Sequence, residues 1–102
     1  MNVESQNEPT GIKTICFPLG HLVATPGALE LLDRTGENAS ELLQRHQRGD
    51  WGDVPPEDAI ENENSIVNGC RIMSSYPLGD ERIWIITEAD RSATTLLLPE
   101  EY

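Results

Sequence analysis

The stretch Cys70-Arg-Ile-Met-Ser-Ser-Tyr-Pro-Leu-Gly-Asp-Glu-Arg-Ile-Trp-Ile-Ile-Thr-Glu-Ala-Asp-Arg-Ser-Ala-Thr-Thr-Leu-Leu-Leu-Pro-Glu-Glu-Tyr102 decides the fold. Side chains alternate across a strand, so Cys70, Ile72, Ser74 and Tyr76 share one face while Arg71, Met73 and Ser75 take the other. Pro77-Leu-Gly-Asp80 then supplies a preset φ followed by a glycine, which is turn chemistry. The run Glu81 to Glu88 is the most β-prone in the chain, with Ile83, Ile85 and Thr87 opposed to Arg82, Trp84, Ile86 and Glu88. Both of its faces are partly apolar, which predicts a central strand. After a break at Ala89-Asp-Arg-Ser92, an extended Ala93 to Leu98 stops at Pro99, which cannot donate to a ladder. A meander of three strands needs a second layer, so Ile83 and Ile85 are expected to face leucines from the preceding segment.

That segment carries three helix signatures. Thr25-Pro26 is a start signal, Ala28, Leu29, Leu31 and Leu32 form the apolar stripe, and Gly36 stands where the helix ends. Asn38 with Glu41 opens a second helix, continued by Leu42, Leu43 and His46 at helical spacing and closed by Gly49. From Pro55-Pro56 a third runs to Asn68, with Gly69 beyond it and Ile60, Ile66 and Val67 as its only large apolar positions, predicting packing by a narrow stripe. Ahead of the helices, Ile12 to Phe17 is a strand candidate and His21 to Ala24 a second extended piece. Residues 1–10 lack periodicity and read as a flexible tail, leaving 11–102 as a single α+β domain. The expected architecture is a three- to four-stranded, mainly antiparallel sheet with three short helices packed on one face, in the order β-α-α-α-β-β-β.

Composition bounds the function. A chain of 102 residues supports one core. Eighteen acidic residues against seven basic ones give a formal charge of −11, which disfavours direct contact with nucleic acid or an anionic membrane and favours a basic partner surface. No apolar run approaches the roughly 20 residues of a membrane span. The polar, acidic opening Met1 to Pro9 is unlike a secretory leader, so a cytoplasmic location is expected, with Cys16 and Cys70 as buried reduced thiols.

Three constellations are candidates for chemistry. Between Asp50 and Glu63 lie six acidic residues without a lysine or arginine. Asp50, Trp51, Asp53, Glu57, Asp58, Glu61 and Glu63 are the expected partner-binding set, although Trp51, between Asp50 and Gly52, also fits a loop anchor. The turn Thr87 to Ser92 offers the alternative of a small nuclease-like enzyme, with Glu88, Asp90 and Arg91 served by His46 as acid and base. Cys16, His21, His46 and Cys70 lack zinc-knuckle spacing, so neither metal nor cofactor is expected.

The runs Leu43-Gln-Arg-His46, Gly49-Asp-Trp-Gly52, Trp84 to Ser92 and Leu97 to Tyr102, with Phe17-Pro-Leu-Gly20 and Val23 to Ala28, resemble a family of small "plasmid-related" proteins of plasmids and integrative elements. The likeness covers the chain from Gly11 onward. It implies no activity, substrate or catalytic residue; what it implies is context, because mobile elements carry small acidic inhibitors of host defence, some of which imitate DNA. The expected function is therefore an acidic interaction protein that binds a basic protein surface, with a homodimer through a sheet edge as a further expectation.

Overall fold

The computed structural model describes residues 14–102. The tail at 1–10, and Ile12 of the first strand candidate, lie outside the described residues. In chain order run β1 (His21–Ala24), α1 (Pro26–Thr35), α2 (Ala39–Gln47), α3 (Pro56–Asn68), β2 (Ile72–Leu78), β3 (Glu81–Thr87) and β4 (Ala93–Leu97), with a 3-10 turn at Pro99–Glu101. This is the α+β order expected. The sheet runs β1-β4-β3-β2, antiparallel except where β1 lies parallel to β4.

The helices begin and end where their caps place them. Thr25 Oγ1 accepts the Ala28 amide at 3.1 Å, and Asn38 Oδ1 accepts that of Ser40 at 2.8 Å. The chain end reinforces α1: the Glu101 carboxylate accepts from the Thr25 hydroxyl and from the Gly27 and Leu98 amides. These bonds, Thr25 foremost, hold the Glu101 carboxyl below the usual carboxylate range. With their ends fixed, α1 and α2 lay Leu31, Leu32, Leu42 and Leu43 over Tyr76, Ile83, Ile85 and Leu96. The isoleucines of β3 face those leucines, as alternation requires.

A smaller cluster of Phe17, Trp51 and Ile72 sits beside this core, and Ala59 and Ile66 bring α3 against it. The stripe expected of α3 is corrected here: Ile60 is 63% exposed and Val67 83%, while Asn62 and Ser65 are buried. The reason is the neighbour that α3 meets. Asn62 donates to the Met73 carbonyl at 2.7 Å and accepts from the Met73 amide at 3.1 Å, so α3 uses an amide side chain to cover the outer backbone of β2.

The loop before α3 covers the rest of that edge. Ser75 donates to the Trp51 carbonyl at 3.0 Å and accepts from the Asp53 amide at 2.6 Å. Residues 73 and 75 therefore bond outward, and by alternation so would 77. Proline at that position forfeits no ladder bond. Hence β2 continues through Pro77 and Leu78, and the turn expected over Pro77–Asp80 shrinks to Gly79-Asp80.

Two further expectations are revised. The described part of the 12–17 strand candidate is irregular, because the Cys16 amide donates to the Gln47 carbonyl and Phe17 turns into the smaller cluster; only His21–Ala24 joins the sheet. Cys16 and Cys70, lying outside the strands, are exposed free thiols rather than buried ones. No helix among the described residues is long and apolar enough to cross a membrane.

Candidate functional site

The acidic segment divides into residues that hold the structure and residues that face outward. Asp50 pairs with Arg45 at 2.7 Å, which raises the arginine's pKa, and its carbonyl accepts the Tyr76 hydroxyl. Burial pushes the Tyr76 phenol up to about 12. Asp53 meets Arg82 at 3.2 Å. Glu63 accepts the Trp51 indole N–H at 3.1 Å. Trp51 itself, expected in the partner-binding set, is buried: its ring stacks on Phe17 and meets His46 edge-on, so it anchors the loop. Asp50, Asp53 and Glu63 are exposed as well but engaged, whereas the exposed side chains of Glu57, Asp58 and Glu61 on α3 have no hydrogen-bond or ion-pair partner among the described residues. Ile60 is exposed among them.

Two concavities adjoin this surface. Asp53, Asp58, Met73, Arg82 and Trp84 line a slot of about 230 Å³ between the start of α3 and the sheet. On the other side, a cleft of about 650 Å³ lies between the outward side of α2, with Glu41, Arg45 and Arg48, and the Trp51–Val54 loop with Ala59.

The residues of the nuclease-like alternative are each engaged separately. His46 is fully buried, with Nδ1 at 2.6 Å from Ser74 Oγ and Nε2 at 2.9 Å from Thr87 Oγ1. Thr87 Oγ1 lies 2.7 Å from Thr94 Oγ1, which donates to the Leu19 carbonyl. Only one proton order satisfies every member. Since the single proton of Thr94 goes to Leu19, Thr87 must donate to Thr94, and His46 Nε2–H must donate to Thr87. Nδ1 is thus the acceptor for the Ser74 hydroxyl. Burial lowers the imidazole pKa to about 3. His46 is a neutral link between α2 and three strands, with no ring nitrogen facing solvent.

Arg91 is equally committed. It occupies a left-handed backbone conformation, φ 62°, and its guanidinium donates to the carbonyls of Ser65, Cys70, Glu88 and Ala89, tying the end of α3 to the β3–β4 turn. Glu88 faces Arg71 at 3.5 Å, and Asp90 accepts the Ser92 amide at 3.0 Å. Hydrogen bonding from Ser92 lowers the Asp90 pKa. Phe17 lies against both His46 and Arg91, at 5.2 and 5.6 Å, and the two side chains share no hydrogen-bond partner among the described residues. Arg91→Ala is expected to cost about 2 kcal/mol, because it leaves several carbonyls without their charged donor; urea denaturation measures it, with Arg91→Lys recovering less than half.

No three His, Cys, Asp or Glu side chains converge among the described residues as a metal ion would require. Compared with family models, curated proteins and solved structures, the chain matches none. Arg48 and the Asn62 clamp were missed in the sequence. Nothing local marks either, since each is defined by a partner, present or lacking, that is distant in sequence.

Proposed function

We propose that this chain is an acidic interaction protein of mobile-element origin whose α3 surface binds a basic face of another protein, as an inhibitor of host defence or an imitation of DNA. The observation that carries the reading is the exposed group Glu57, Asp58 and Glu61 around Ile60, without a counter-charge among the described residues, in a chain of net charge −11. A helix held to the sheet by Asn62 offers that face as a rigid unit. Carboxylates steer a basic partner, while the exposed isoleucine supplies apolar contact at short range. The neighbouring slot, with Asp58 and the Trp84 indole in its wall, suits a lysine or arginine side chain.

For the homodimer we propose the β1 edge. The β2 edge is covered, whereas β1 carries no carboxylate, lysine or arginine, and Leu22 and Val23 are exposed upon it. The His21 amide bonds to the Ser92 carbonyl and the Thr25 amide to that of Leu96 in β4, so those of Leu22 and Ala24 point away from the sheet.

Affinity capture from lysate of a plasmid-bearing host tests the main reading. Wild-type protein is expected to retain a basic protein that elutes as salt rises, and Glu57→Gln/Asp58→Asn/Glu61→Gln to lose about tenfold or more of that retention. Retention that ignores both salt and the three substitutions would overturn it.

A further inference from the structure

The cleft beside α2 contains an arginine that the other described residues leave unmatched. Acidic residues outnumber basic ones 18 to 7, so a carboxylate for every guanidinium is easily found. Arg34, Arg45, Arg71 and Arg82 each have one, and Arg91 has four carbonyls. Arg48, at the carboxyl-terminal cap of α2, is the exception: among the described residues its side chain has no acceptor, and its Nε lies buried without a hydrogen-bond partner. A buried donor in that state is unfavourable, and supplying an acceptor recovers the difference.

From this we infer that the cleft is a binding site for a small monocarboxylate with an apolar body, its carboxylate received by Arg48. The volume, about 650 Å³, is that of a small-molecule site. The lining also contains the apolar side chains of Trp51, Val54 and Ala59. A carboxylate entering here lets the guanidinium turn from the wall and present Nε–H with one Nη–H as a fork, the geometry in which arginine binds carboxylates best. The neighbouring charges set the valence of the ligand. Arg45 is matched by Asp50, and Glu41 stands seven residues before Arg48, two turns away along α2. One guanidinium is therefore available, in a negative field that disfavours a dianion such as phosphate. The inference uses none of the α3 carboxylates and stands apart from the protein-binding proposal.

Titration of ¹⁵N-labelled protein with benzoate, benzamide and inorganic phosphate tests it. Benzoate is expected to shift the Arg48 Nε–H and Trp51 indole resonances saturably while the Arg71 Nε–H stays in place. Benzamide, which has the shape without the charge, and phosphate are expected to bind about tenfold more weakly or worse. Arg48→Gln is expected to weaken benzoate by about tenfold, and Arg48→Lys, which keeps the charge and removes the fork, by about threefold. Absence of a saturable benzoate shift at Arg48, equal binding of benzamide, or unchanged affinity in both variants would overturn the inference.

Discussion

Acidification from pH 6.5 to about 3 is expected to remove about 4 kcal/mol of stability through His46 alone. In the unfolded chain this imidazole takes up a proton below its ordinary value of 6.5, whereas in the folded protein burial keeps it neutral down to about 3. Above 6.5 both states are neutral at this residue and it contributes no pH dependence. Between the two values the unfolded state binds one proton more, so stability falls as pH falls, by about 1.4 kcal/mol per unit. The hydrogen-bond chain gives the structural reason. A proton on Nδ1 would face the Ser74 hydroxyl, whose own proton is already directed at that nitrogen, and no carboxylate among the described residues bonds to either ring nitrogen. Urea denaturation of wild type and His46→Gln at intervals from pH 7 to 4 separates this effect from the titration of the carboxylates, which both proteins share. The variant is expected to be about 2–4 kcal/mol less stable at neutral pH, from the disrupted link to Ser74 and Thr87. It is also expected to lose the extra slope. Equal slopes in the two proteins would show that His46 does not stay neutral in the fold.

His46 also shows where reading the sequence stopped. Its helical spacing with Leu42 and Leu43 placed it on the inward side of α2, and strand alternation placed Ser74 with Ile72 and Tyr76, and Thr87 with Ile83 and Ile85. His46, Ser74 and Thr87 were thus each assigned a face, whereas Thr94 was not. What alternation cannot provide is their meeting, which depends on how α2 crosses β2 and β3. Local chemistry was legible for the same reason wherever it was local: Thr25, Asn38 and the glycines after α1 and α3 mark helix ends within one turn of themselves. The misreadings are the places where a distant partner overrode a local pattern. Ile60 and Val67 looked like a core stripe, but Asn62 has two backbone bonds waiting on Met73 and turns α3 the other way. Pro77 looked like a turn because the outward direction of its missing N–H is visible only once β2 is known to be an edge. The partner-binding set lost Trp51 because the indole finds Phe17 and Glu63, neither of them adjacent in sequence.

Gly52→Ala is expected to cost about 3 kcal/mol or more and to lower the melting temperature by more than about 10 °C. Gly52 forms a parallel bridge with Ser75, and its φ of 75° lies where residues with a side chain are strained. A Cβ there would run into the Ser75 carbonyl oxygen and come within 2.6 Å of Cδ1 on the Tyr76 ring. Neither obstacle can yield: that carbonyl is held by the Asp53 amide, and the Tyr76 ring is fully buried with its hydroxyl on the Asp50 carbonyl. Moving the loop instead breaks both bonds that cover the β2 edge and unseats Trp51 from Phe17. Gly36→Ala is the control, because Gly36 has a similar φ of 73° but open space around it, so only the backbone strain of about 1 kcal/mol remains. The difference between the two variants, read by thermal and urea denaturation, isolates the close approach of the 51–53 loop to β2. The Ser75 backbone so exposed should also make Gly52→Ala prone to edge-to-edge association, visible as a concentration-dependent sedimentation rate. Equal stability in the two variants would mean that the loop does not hold this edge, and the rigid presentation of α3 would then rest on Asn62 alone.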